Sequence, residues 1–316
     1  MSFRFFLLIL ISLSPSTWAK ETDNLTDRHK HLEDSTEILD QEMNRRLQEL
    51  QTEANKQKIS CNDPRSLRIL FHDLNGSRFF IGSLETWAEE SSQVPKRSLG
   101  AAGSVYEGAL ENGWIFNRLS LASTVKVNGE LIGTDKLGHF IDQGFEFYTP
   151  YRRSGYDMYP ALHSSLGSEK SHSGKKSTGV ISYADSMANY HGILFYHSLG
   201  EGSQSYFRCS DGRWTQIRKF TWADYVDAGW DEGINCSVVA SESGQNKYHE
   251  NIKKLEVRDN KPYKCPIESG SCGKLNSRYP PTISQFVLSP ECRKVEKTSS
   301  QPGSSTSNRR NTKGTR

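Results

Sequence analysis

The sequence predicts a mainly α fold: a helical core domain with small β-hairpins and a disulfide-containing C-terminal region. Three observations lead there. Apolar residues recur at helical spacing between residues 26 and 56, and again around Asp135–Tyr148 and Ser182–Leu199. Asn128-Gly129 and Ser210-Asp211-Gly212 sit between short apolar runs, the pattern of tight hairpin turns. Six cysteines, Cys61, Cys209, Cys236, Cys265, Cys272 and Cys292, form an even set with four of them after residue 200, which predicts three disulfides and a stapled C-terminal half. Which cysteine pairs with which is not specified by sequence.

Taken in order, residues 1–19 read as a cleaved signal peptide. Arg4 precedes the apolar stretch Phe5–Leu13, and Thr17-Trp18-Ala19 places small residues at the two recognition positions. The stretch is well short of the roughly 20 residues that span a bilayer, so the mature chain is expected to start near Lys20. Residues 20–60 read as a helical arm packed on the body. Within it Leu32, Leu39, Met43, Leu47 and Leu50 mark a narrow stripe on a polar helix from Thr26 to Lys56, with a short coiled coil as the alternative.

Residues 61–200 form the expected helical core. Leu67–Leu74 fits helix or strand, and Asn75-Gly76 separates it from Phe79–Trp87. Tyr106, Leu110, Trp114, Phe116 and Leu119 fit a buried helix over Val105–Leu121, and Val125–Ile132 fits a hairpin. Thr134 is placed to cap a helix that Thr149-Pro150 should end, and Tyr151–Lys176, rich in Ser, Gly and Lys, reads as a mobile loop. A second helix begins near Ser182, with Asp185 as its capping-box acid, and runs to Leu199-Gly200. Residues 201–296 carry a hairpin, a helix from Thr221 through Trp230, and a short helix at Tyr248–Leu255, while 297–316 offers no apolar face and reads as a disordered tail.

Composition narrows the function classes. At 34% hydrophobic residues and a mean hydropathy of −0.67, no second membrane span is found, and a soluble mature protein is expected. A net charge of +3, much of it in the tail, does not argue for nucleic acid. There is no G-x-S-x-G elbow, no paired C-x-x-C and no phosphate loop, which leaves Ser182, Ser186 and Thr134 as undistinguished nucleophiles. His191 and His197 read as ordinary surface or packed histidines.

What stands out is a pair of polar signatures, Asp135-Lys136-x-x-His139-Phe140 and Asp185-x-x-x-Asn189-x-x-Gly192. At about 100° per residue, Asp135, His139, Asp142 and Glu146 fall on one face of the first helix. On the second, Asp185, Asn189, Gly192 and Tyr196 share a face, and Gly192 would let another backbone come close. The catalytic candidates are Asp135, Lys136, His139, Asp185 and Asn189. The metal candidates are His139, Asp135, Asp142, Glu146 and Asp185, a nitrogen-and-oxygen donor set that would take a divalent metal as cofactor. A solvated helix face is the plain alternative.

These residues resemble known sequences. Asp135–Phe140 followed by Asp185–Gly192 is similar to the D-K-x-x-H-F and D-x-x-x-N-x-x-G pair of the VanZ-like superfamily, and with Trp222–Cys236 the chain resembles an uncharacterised group of exported proteobacterial proteins. The resemblance implies a periplasmic or secreted protein of the cell envelope. Most VanZ-like proteins lie in the membrane, whereas Asp142, Gln143 and Glu146 interrupt the first helix here and predict folding in water. The expected function is that of an exported envelope structural or binding protein with a buried polar helix-pair site. A metal-dependent hydrolase acting on an envelope component is the alternative, and the expected partner is a lipid, glycan or protein of the envelope.

Overall fold

The computed structural model describes residues 20–76, 83–110, 121–171 and 174–296; the expected signal peptide and tail lie outside them. The predicted class is correct: 51% of the described residues are helical, set against short antiparallel strand pairs.

Helix α1 (Thr36–Lys56) opens ten residues later than the spacing predicts. The Asp23 carboxylate accepts from the backbone N–H groups of Leu25, Thr26 and Val105, each at 2.9 Å, and so folds the upstream residues into turns instead. Leu32 therefore lies outside the helix. Leu39, Met43, Leu47 and Leu50 form the expected stripe and are wholly buried, in the same apolar cluster as Leu137, Phe140, Trp222 and Cys292. α2 (Pro64–Asn75) resolves the helix-or-strand ambiguity, with Asp63 as its cap and Pro64 in its first turn. α3 (Ser83–Glu90) follows. Residues 105–110 form turns rather than the expected helix, whose remainder, 111–120, lies outside the described residues.

The hairpin β1 (Thr124–Val127) and β2 (Glu130–Gly133) turns at Asn128 and Gly129, both at positive φ (51° and 83°), as a type I′ turn requires. It leads into α4 (Asp135–Gly138), a π-helical turn at His139–Gln143, and α5 (Gly144–Arg153). Pro150 does not end this helix: the buried Tyr151 ring, 6.0 Å from Tyr148 and 5.8 Å from His197, holds one more turn. The expected loop at Tyr151–Lys176 instead contains α6 (Met158–Glu169), capped by Asp157 and burying Ala161, Leu162, Ser165, Leu166 and Glu169 at helical spacing. The strand β3 (Val180–Ile181) precedes α7 (Tyr183–Ser198), capped by Ser182 as predicted.

Beyond α7 lie the hairpin β4 (Phe207–Ser210) and β5 (Arg213–Gln216), again turning on two positive-φ residues, Asp211 (52°) and Gly212 (74°). The helix expected through Trp230 is two 3₁₀ turns, Trp222–Asp224 and Ala228–Trp230, capped by Thr221 and Asp227. After β6 (Val238–Val239), paired with β3, come α8 (Glu242–Asp259), longer than expected, α9 (Ser269–Arg278), α10 (Pro281–Val287) and α11 (Pro290–Arg293). The disulfides are Cys61–Cys209, Cys236–Cys265 and Cys272–Cys292. No helix among the described residues is long and apolar enough to cross a membrane.

The two signature helices meet backbone to backbone. A Cβ built on Gly192 would overlap the Phe140 carbonyl oxygen and lie 2.8 Å from the Gly144 Cα. Gly192→Ala should therefore cost at least about 1–3 kcal/mol as an overpacking change, read as a lower urea midpoint. Opening the Cys61–Cys209 bridge, whose ends are 148 residues apart, with Cys61→Ser and Cys209→Ser should cost about 5 kcal/mol in the chain-entropy limit. Retention of the wild-type midpoint by either variant would contradict these packing and loop-closure arguments.

Candidate functional site

Lys136 sits at the end of the hairpin-to-helix junction with no solvent exposure. Its Nζ lies 2.7 Å from Asp135 Oδ2, 2.6 Å from Asp185 Oδ1 and 2.6 Å from Glu232 Oε1, so its three N–H donors face three carboxylates. Each carboxylate is anchored again: Thr22 Oγ1 donates to Asp135 Oδ1 at 2.7 Å and Tyr106 Oη donates to Glu232 Oε2 at 3.2 Å. The Ser182 hydroxyl, 3.0 Å from Asp185 Oδ1 and 3.1 Å from Glu232 Oε1, anchors Asp185 and touches Glu232 a second time. Ser182 also caps α7, so one residue fixes both the helix start and the ion centre.

His139 continues the network. Asn189 donates through Nδ2 to Gln143 Oε1 and Ser165 Oγ, both at 3.0 Å, which turns its Oδ1 toward His139 Nδ1 at 3.2 Å. His139 Nε2 lies 3.1 Å from Asp185 Oδ2. Both ring nitrogens face acceptors, the environment of an imidazolium. Burial opposes that charge, but the Asp185 carboxylate outweighs it and pushes His139 up to about 10. Burial would likewise raise Asp185, yet His139 and Lys136 hold it well below the usual carboxylate range. Lys136 is held above its ordinary range by Asp135, Asp185 and Glu232 against the effect of burial.

The five residues of the two signatures, Asp135, Lys136, His139, Asp185 and Asn189, thus come together. Asp142 and Glu146 do not join them. Asp142 lies 3.5 Å from His72, and Glu146 is exposed. The π-helical turn explains the change, because its wider turn places Gln143, four residues beyond His139, where an α-helix would have placed Asp142. Thr134 occupies the cap position of α4, but its hydroxyl bonds to Glu89.

Sequence reasoning missed the further carboxyl groups. Glu232 lies in the Trp222–Cys236 segment, the one pointer to it. Glu21, Glu85 and Glu169 are also buried at the centre's margins. Burial and then Asp185 push Glu169 up to about 8, burial and then Asp135 push Glu85 up to about 8, and burial followed by Glu232 raises Glu21. Glu169 Oε1 and Glu21 Oε2 have no hydrogen-bond partner among the described residues. Asp135, His139 and Asp185 could each offer a ligand atom to a metal, all within 4.8 Å of one another.

His191, one turn along α7, belongs to a separate buried chain. Trp230 Nε1 donates to its Nδ1 at 2.9 Å, while its Nε2 lies 3.1 Å from the Tyr279 hydroxyl, which donates to Asp227 Oδ2 at 2.6 Å. Burial, aided by the Arg278 charge, holds this ring down at about 3, so it stays neutral and joins α7 to the C-terminal region. Comparison of the chain with family models, curated proteins and solved structures gives no match.

The raised groups set a pH dependence with a definite sign. The contribution of His139 is complete below its ordinary value of 6.5 and is lost as pH rises to about 10. Those of Glu169 and Glu85 are complete below 4.5 and are lost by about 8. Asp185 acts oppositely, contributing above 3.8 and losing that contribution on acidification. Urea melts should show greatest stability in mildly acidic buffer and a decline toward pH 10, shallower in His139→Gln and Glu169→Gln. A wild-type stability that climbs from pH 6.5 to 10 would contradict this assignment of protons.

Proposed function

We propose that this chain is an exported structural or binding protein of the cell envelope, periplasmic or secreted, whose paired-helix centre is an ion network that locks the fold. The observation that carries the reading is the saturation of Lys136: three donors meet three carboxylates at 2.6–2.7 Å with no exposed surface. A centre used for turnover needs a position where a reacting atom can sit beside its catalytic groups. Here the ammonium, the imidazole and the Asn189 amide are engaged with one another's neighbours. The three disulfides fit an oxidising compartment.

A second reading, a divalent-metal hydrolase acting on an envelope component, is favoured by one observation, the convergence of Asp135, His139 and Asp185. The donor set suits a borderline divalent ion, and the bond from His139 Nδ1 to Asn189 is the outer contact that orients a metal-ligating imidazole. Against it, the Lys136 ammonium lies within 2.7 Å of both aspartates, and His139 Nε2 would have to exchange its bond to Asp185 for the metal.

Asp185→Asn and Lys136→Met separate the two. In a structural network each leaves buried charges uncompensated and should cost about 3–5 kcal/mol. The wild-type melt should then ignore chelator, and elemental analysis of the purified oxidised protein should find no stoichiometric metal. Stoichiometric metal, a melt lowered by chelator, and an Asp185→Asn variant that keeps its stability but loses the metal would replace the structural reading with the hydrolase one.

A further inference from the structure

The connection between α5 and α6 exposes two aromatic rings next to two guanidiniums. Tyr156 is 45% exposed and Tyr159 55%, two of the four large hydrophobic residues exposed among the described ones. Arg152 and Arg153, in the last turn of α5, are exposed, and no ion pair engages either of them among the described residues. Two nearby carboxylates each hold other partners. Asp157 caps α6 through the Tyr159 N–H at 3.0 Å, and Glu201 Oε2 is held by Arg68 at 3.2 Å and by the Tyr156 hydroxyl at 3.0 Å. The Ser154 hydroxyl is within hydrogen-bond distance of the Tyr151 and Asp157 carbonyls. The tip therefore presents two guanidiniums with no ion-pair partner among the described residues, set against one exposed carboxylate, Asp157.

The rings are also set in place. Tyr156 adopts φ 70°, a left-handed conformation that a bulky residue rarely takes, and its ring lies edge-on to Tyr151 at 5.4 Å and His197 at 5.2 Å. Tyr159 stacks on His163 at 6.0 Å and meets Phe286 edge-on at 5.4 Å. Rings held this way lose little further freedom on contact with a partner. Guanidiniums match phosphate oxygens with paired donors, and tyrosine favours the level of lipid headgroups, where its ring meets apolar matter and its hydroxyl stays wet.

We propose that this tip docks on the anionic headgroup surface of a phospholipid bilayer, with Arg152 and Arg153 on the phosphates and Tyr156 and Tyr159 among the headgroups. The site is separate from the Lys136 centre, and the proposal stands whether that centre proves structural or metal-binding. The test is cosedimentation of the full-length oxidised protein with vesicles of phosphatidylcholine alone, or of phosphatidylcholine mixed with phosphatidylglycerol. Binding should appear with the anionic vesicles only and weaken as salt is added. Arg152→Ala and Arg153→Ala should each lower partitioning about five-fold, and together about 25-fold. Tyr159→Ser and Tyr156→Asn, the latter chosen because asparagine tolerates positive φ, should weaken binding with little change in its salt dependence. Equal binding to both vesicle types overturns the proposal, as does full binding by the double arginine variant in a protein whose melt is unchanged. Failure of the wild type to bind anionic vesicles overturns it too, even where calorimetry shows inorganic phosphate binding to the protein.

Discussion

A lysine ammonium buried without water costs several kcal/mol in lost hydration, and this fold is arranged around compensating one. The three carboxylates on Lys136 come from the start of α4, the first turn of α7 and the segment after the second 3₁₀ turn. The groups that steady them reach from residue 22 to residue 182. One cation thereby fixes where the N-terminal segment, both signature helices and the start of the C-terminal region must lie. A purely apolar centre of similar volume could match its stability, but it would not discriminate as sharply among registers, because any shift would strand a charge.

The apolar side depends on the same helical turn. His139 and Phe140 are neighbours, so they point in different directions from one backbone. His139 faces the ions, while Phe140 lies 5.0 Å from Trp222, 5.1 Å from Phe195 and Tyr225, and 6.0 Å from Trp230. The Gly144–Gly192 contact sets the distance between the helices that carry both halves. A side chain at either glycine would separate the polar partners and the aromatic packing together.

How much of this the sequence discloses depends on the range of the interaction. Hairpins at Asn128-Gly129 and Asp211-Gly212, the Ser182 cap and the α1 stripe are local patterns, and they are readable. The meeting of the two signatures is readable because each puts polar groups on a helix face that Gly192 allows to be approached closely. Glu21, Glu85, Glu169 and Glu232 carry no periodic signal of their own; each belongs to the centre only through tertiary folding. α6 was hidden by composition, since serine and glycine between Ala161 and Glu169 mask the spacing of its buried face. The helix expected from Thr26 fails where the Asp23 side chain offers the backbone better partners than an α-helix would.

The π-helical turn at His139–Gln143 amounts to one residue added to an otherwise ordinary helix. Deleting that residue would restore α-helical winding and leave Gly144 facing Gly192, because the wide turn accommodates its extra residue without turning the helix beyond it. Deleting a second would rotate all that follows by about 100° and carry Gly144 off Gly192. The extra residue acts locally, deciding whether Gln143 or Asp142 meets Asn189. The segment can thus give up one residue and keep the two helices in contact, but not two.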